Sequence, residues 1–213
     1  MKAEFYTVEN IHSSEITEKK SRFIAHLAGV STREDAENFF RSVRSRYKDA
    51  RHNVPAFRIG IENIDEWAND DGEPSGTAGK PILDILRNAG LTNVAIIVTR
   101  YFGGILLGTG GLVRAYGAVA SQLVAETPHV KKSLHRRLLI DTEYKNLGKV
   151  KRFLEEHAIY SNMVCLQNVV FTYDVAIDKL EFVEREIMEL CCGKVTIFEG
   201  EDIFVTIQSG VKE

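Results

Sequence analysis

Asp70-Asp71-Gly72-Glu73-Pro74-Ser75-Gly76-Thr77-Ala78-Gly79-Lys80-Pro81 and Arg100-Tyr101-Phe102-Gly103-Gly104-Ile105-Leu106-Leu107-Gly108-Thr109-Gly110-Gly111-Leu112-Val113-Arg114-Ala115-Tyr116 are two glycine-dense segments on either side of a helix and a strand. Between them Ile82, Ile85, Leu86 and Ala89 recur at helical spacing, and Gly90 stands where a left-handed cap would close that helix. Val94 to Thr99 follows as an apolar, β-branched run that reads as a buried central strand. Glycine loses more conformational entropy on folding than any other residue. Crowding it at two helix starts therefore points to close backbone approach, either to a bound anion, to a partner surface, or to another part of the fold.

The pattern extends outward in both directions. Residues 4–30 read as strands, with Phe23, Ala25 and Leu27 on one face. Ser31 and Glu34 have capping-box spacing, and Ala36, Phe39, Phe40 and Val43 then follow one helical face. Val54 to Ile61 reads as a strand, and Pro55 within it argues for an edge or a strand start. Leu112, Tyr116, Val119, Ala120 and Leu123 mark a helix that ends by Thr127-Pro128. The polar stretch Pro128 to Ser133 breaks the periodicity, so the expected domains are residues 1–127 and 134–213. In the second, Leu134 to Thr142, Ile159 to Leu166, Asn168 to Val175 and Lys194 to Ile207 read as strands. Leu147, Val150 and Leu154 lie on one helix, and Asp178 with Glu181 is expected to cap another that carries Leu180, Val183, Ile187 and Leu190. This strand-helix-strand-strand-helix-strand order is the ferredoxin-like, split βαβ arrangement, and the whole chain reads as an α+β protein of two domains.

The bulk composition excludes several classes. With 27 Lys+Arg against 30 Asp+Glu the net charge is −3, which argues against a strongly basic nucleic-acid binder but not against a local basic patch. The three cysteines, Cys165, Cys191 and Cys192, make a poor disulfide framework, and core packing is the expected role for all three. Met1 to Ser14 is polar and charged, unlike a signal peptide, and the apolar runs are too short to span a bilayer. The expectation is a cytoplasmic protein that does not meet a membrane.

Named nucleotide motifs fail on inspection. A phosphate-binding loop around Gly79-Lys80 needs glycine and Ser/Thr where Pro74 and Pro81 stand, and the dinucleotide fingerprint starting at Gly108 and Gly110 meets Val113. A generic anion site remains open, because free N–H groups at the helix start near Thr109-Gly110-Gly111 favour negative charge and Arg100 and Arg114 flank that loop. The turn from Gly76 to Gly79 offers a second, similar start; the alternative is that these glycines serve only tight turns and packing. Asp70, Asp71 and Glu73 offer carboxylates to a divalent cation, or form a solvated acidic turn that pairs with Arg58 or Arg100. His52 is a lone histidine without a nucleophile elbow, and Ser75 and Thr77 read as turn hydroxyls. Tyr101-Phe102 beside Arg100 can stack a base, grip a protein or fill the core. No motif names a cofactor or a metal.

The two glycine segments, with Ser21-Arg22-Phe23 and Ala50-Arg51-His52-Asn53, strongly resemble the IMPACT/YigZ family, and the likeness covers nearly the whole chain. The resemblance implies an N-terminal IMPACT domain similar to the second domain of a small-subunit ribosomal protein and to domain IV of elongation factor G. It implies a C-terminal domain similar to the ferredoxin-like last domain of elongation factor G. Eukaryotic relatives regulate translation by binding a ribosome-associated activator of a stress kinase, with an accessory domain not found in this sequence. Bacterial relatives are thought, by fold analogy, to bind nucleic acid or ribosomes.

Three functions follow as expectations. The first is a non-catalytic, translation-associated protein that contacts RNA or the ribosome through one face. Arg22, His52, Arg58, Asp70, Asp71, Glu73, Gly76, Thr77, Arg100, Tyr101, Gly103, Gly104, Gly108, Gly110, Gly111 and Arg114 are the residues assigned to that face. The second is a metal-assisted enzyme on a phosphorylated or nucleotide substrate, with the acidic trio holding the metal and His52 moving protons. The third is a module that binds a protein partner in translation control through the same face.

Overall fold

The β-branched run at Val94 to Thr99 belongs to a strand covered on both sides by helices. A computed structural model describes residues 3–165 and 167–207. The first part of the chain contains β1 (Glu4–Val8), β2 (Ile11–Glu18), β3 (Ser21–Gly29), α1 (Arg33–Arg46), β4 (His52–Ile59), β5 (Asp65–Ala68), α2 (Gly79–Asn88), β6 (Val94–Tyr101) and α3 (Gly108–Glu126). The second contains β7 (His129–Thr142), α4 (Leu147–His157), β8 (Ile159–Cys165), β9 (Val169–Ala176), α5 (Leu180–Leu190) and β10 (Val195–Ile207). Two units result, divided between Lys131 and Lys132, inside β7. Among the described residues no helix is long and apolar enough to cross a membrane.

In the first unit the strand order is β2-β3-β6-β4-β5, and the pairs are antiparallel. Period-2 alternation gives β6 two buried faces. Ala95 and Ile97 pack with Phe39, Phe40 and Val43 of α1, while Val94, Ile96 and Val98 pack with Ile82 and Leu86 of α2 and Tyr116 and Leu123 of α3. A strand that is apolar throughout thus marks helices on both sides, here in an antiparallel sheet. Pro55 is not on an edge strand, because β4 pairs with both β5 and β6. It is tolerated because its carbonyl accepts from Asn69 N at 3.1 Å, just past the end of β5, so the missing N–H falls where the ladder has stopped.

Helix ends show how close the sequence signals come. The α1 cap lies one residue later than expected: Thr32 accepts from Asp35 N, and Asp35 accepts from Thr32 N. Ser31–Glu34 and Thr32–Asp35 have the same spacing, so only geometry separates them. At the far end of α2, Gly90 has φ of 68° and donates to Arg87 O, while Leu91 N reaches Leu86 O, the paired bonds of a Schellman motif.

The second unit follows the expected element order, with sheet order β10-β7-β9-β8. Leu138, Ile140, Phe171, Tyr173 and Val175 face Val150, Leu154, Val183 and Ile187 of the two helices. Asp178 and Glu181 do not cap α5. A short 3-10 turn, Ile177–Lys179, leads into that helix, and no side chain caps it. The cysteines also differ from expectation, since only Cys191 is buried. Cys165 ends an edge strand, and Cys192 sits exposed in a left-handed turn after α5 with φ of 51°. Leu166, expected at the end of a strand, lies outside the described residues.

Candidate functional site

The first glycine segment is closed by its own carboxylates. Asp70 accepts from Gly76 N at 2.8 Å, Ala78 N at 3.0 Å and Gly79 N at 2.9 Å. Burial opposes the charged form, but the three amides outweigh it and hold the Asp70 carboxyl below the ordinary aspartate range. The Ala78 and Gly79 N–H groups at the start of α2 are therefore already taken. Asp71, held in the left-handed region at φ of 46°, accepts from Asn53 N at 2.6 Å through its carboxylate, and its carbonyl meets His52 Nδ1 at 2.8 Å. Thr77, buried, donates to Pro74 O at 2.6 Å.

Glu73 turns inward. Its Oε1 accepts from Arg100 Nη1 at 2.6 Å and from the Tyr116 hydroxyl at 2.7 Å, and all three residues are buried. The Arg100 guanidinium also lies over the Phe23 ring at 5.5 Å and the Phe102 ring at 5.8 Å. Burial, and then the bond to Glu73, push the Tyr116 hydroxyl well above the usual tyrosine range, so it stays a donor. Arg100, His52 and the acidic turn form an internal brace that fixes the end of β6 to α3.

Strand register divides the remaining expected residues. Arg22 stands opposite Tyr101, and His52 opposite Arg100. Neighbouring residues of a strand point to opposite faces, so Arg22 and Tyr101 lie on the α1 side while Arg100, His52 and Arg58 lie on the α2–α3 side. The expectation of one shared face does not hold. Arg22 is exposed and paired with Glu15 at 2.5 Å and 2.8 Å, and Tyr101 donates to Asp49 at 2.9 Å. Arg58 sits opposite Val94, six residues from Arg100 along β6 and so about 20 Å away. It binds Glu66 at 2.7 Å and Leu91 O at 2.6 Å, and Glu66 also holds Arg87.

The second glycine segment is open. Gly104, Gly108, Thr109 and Gly110 are exposed at the start of α3, and among the described residues no side chain hydrogen-bonds the N–H groups of its first turn. Gly104 and Gly108 have φ of 83° and 70°, values that favour glycine. Gly103 is required for a different reason: a Cβ there would lie 2.0 Å from Lys20 C. That contact, with Gly103 N donating to Ser21 Oγ at 3.2 Å, docks the β2–β3 turn onto the loop. Lys19 and Lys20 both have positive φ, 44° and 66°, the type I′ geometry that normally selects Asn and Gly. Both are exposed, as are Val113 and Arg114; a Cβ on Gly110 would lie 3.7 Å from Arg114 Nη1. Among the described residues Lys19, Lys20 and Arg114 form no ion pair. Phe102, Ile105 and Leu106 are exposed beside them, Leu106 by 84%.

The Lys19–Lys20 turn is absent from the expected residues because it lacks the usual turn composition. Two strand-like runs separated by two residues were its one available signal.

The family model described as the Impact N-terminal domain matches residues 19–124, from the Lys19 turn through α3. The IMPACT family member YvyE of Bacillus subtilis is 39% identical over 198 residues, covering 92% of this chain and 91% of that protein. The IMPACT family member YigZ of Escherichia coli is 41% identical over 138 residues, covering 64% of this chain and 68% of that protein. Protein IMPACT of Rattus norvegicus is 34% identical over 102 residues, 46% of this chain and 32% of that protein. A crystal structure of a hypothetical protein, 30% identical, has a TM-score of 0.63 and spans 94% of this chain and 99% of that one. Likeness at this level over nine-tenths of the length, with both glycine segments inside the matched domain, means that the chain belongs to the IMPACT family.

Proposed function

We propose that this protein is a non-catalytic, translation-associated binding protein of the cytoplasm that contacts RNA phosphates, on the ribosome or free, through the second glycine loop. The observation that carries it is the contrast at the two helix starts: α3 offers N–H groups with no side-chain partner among the described residues, with Arg114 beside Gly110 and the Lys19–Lys20 turn docked on Gly103 of the same loop, whereas Asp70 takes N–H groups at the start of α2. Strain supports it as well. A Lys-Lys pair held at positive φ costs energy that an Asn-Gly turn would avoid, and such strain clusters where a side chain must be displayed. The acidic trio and His52 already hold the fold together, which disfavours the metal-assisted enzyme. The family resemblance implies that the second unit is similar to the last domain of elongation factor G, and the ferredoxin-like order of that unit is compatible with a place in translation.

The test is binding of ribosomal RNA and ribosomes against salt concentration. Affinity is expected to fall steeply with salt, and Arg114→Ala is expected to lower the slope by about one. Binding that is undetectable at low salt, or indifferent to salt, ends the phosphate reading. Exposed Phe102, Ile105, Leu106 and Val113 favour a second reading, a protein partner on the same loop, whose capture would survive nuclease and depend little on salt.

A further inference from the structure

On the opposite side of the sheet, between α1 and the β4–β5 hairpin, lies a cleft of 460 Å³. Phe40 and Phe57, both buried, form its floor, and Trp67 forms a wall, its ring 5.8 Å from that of Phe57 and nearly parallel to it. Trp67 is still 39% exposed. The rim comes from one stripe of α1, in which Arg33, Glu37, Arg41 and Arg44 recur three or four residues apart. Arg33 lies 5.3 Å over the Phe57 ring and is held by Asp65 at 3.1 Å, so its charge is matched. Among the described residues Arg41 hydrogen-bonds only Asn38, at 3.2 Å, and Arg44 reaches the Asp71 carboxylate at 3.9 Å. Two cations thus line the aromatic cleft, Arg41 with no carboxylate partner among the described residues and Arg44 with only a long contact to one.

The geometry points to a nucleotide-binding cleft: a base stacks on Trp67, its phosphate meets Arg41 and Arg44, and Glu37 accepts from a base N–H or a ribose hydroxyl. A bare phosphate leaves the aromatic wall unused. An acyl chain leaves the arginines idle. A phenyl phosphate offers Glu37 no donor. Phe57 stands opposite Ala95, six residues from Tyr101 along β6, so the cleft lies about 20 Å from the glycine loop and does not depend on what that loop binds. The shared chemistry, a single nucleotide, can come from a free mononucleotide or from one residue of single-stranded RNA.

Trp67 is the one tryptophan of the chain, so its emission reports the cleft in the intact protein. Titration with UMP and with a short oligouridylate is expected to quench it saturably at about 1 mM or below. Arg41→Gln with Arg44→Gln, two exposed changes, is expected to weaken binding about tenfold. Followed by calorimetry, Trp67→Phe keeps a stacking ring and most of the affinity, and Trp67→Ala loses about tenfold. Tighter binding of UMP assigns the site to free nucleotides, and tighter binding of the oligomer assigns it to RNA; either supports the cleft. No saturable change with either ligand, equal binding of phenyl phosphate, or unchanged affinity in the double variant overturns it. Such a failure leaves the loop proposal untouched, because that rests on the salt slope of Arg114.

Discussion

Where α2 begins, three backbone N–H groups converge on Asp70; where α3 begins, no side chain among the described residues meets the corresponding groups. Both segments are rich in glycine, and both precede a helix that buries its face on the same side of the same sheet. The difference lies in what the flanking charges do. In the first segment Asp70, Asp71 and Glu73 all turn onto the chain itself, the last of them onto Arg100 and Tyr116. In the second, Arg114 and the neighbouring Lys19 and Lys20 point to water. Glycine density alone therefore does not mark a binding loop. On the reading proposed above, what marks it is glycine density with no internal partner for the amides.

Three substitutions test that division. The largest effect is expected at the brace. Glu73→Ala leaves Arg100 charged and buried with no carboxylate, a change that costs about 3–5 kcal/mol and is measured by denaturant unfolding. A loss below about 1 kcal/mol would mean that water reaches Arg100 and that the first segment is not sealed. Next comes Asp70→Asn, which removes the charge that three N–H groups share and is expected to lose about 2 kcal/mol. The sign with pH follows from the lowered carboxyl: its contribution is complete above the ordinary aspartate value of 3.8 and is lost as pH falls below it. The wild type should thus lose stability in that acid range by more than the variant does. The smallest effect is expected at Lys20→Gly. It relieves a left-handed side chain and stabilises by about 1 kcal/mol while weakening RNA binding. Gain of stability with full RNA affinity would remove the strained turn from the proposed surface.

Much of the fold is legible in local pattern. Ala36, Phe39, Phe40 and Val43 do bury one face of α1, and Leu112, Tyr116, Val119, Ala120 and Leu123 that of α3, because helical spacing is a property of neighbouring residues. The Val94 run is central for the reason its composition gives. The site was legible only as a set of segments. Whether Arg22 shares a face with Arg100 depends on strand register, and a shift of one residue reverses the answer. That Glu73 would take Arg100 while Arg58 goes to Glu66 depends on which end of β6 each strand meets. The arginine stripe and Trp67 come from two elements, α1 and β5, whose meeting no local spacing announces.

The cover on both sides of β6 has a consequence for time scales. From Val94 to Arg100 every residue is buried, while Gly104 to Leu106, only a few residues further on, are in water. Deuterium can reach the first set only when the whole unit comes apart, and the second without any such event. One short continuous peptide therefore carries a slow and a fast exchanging half, and a molecule that settles on the loop slows the fast half while the slow half serves as its internal reference.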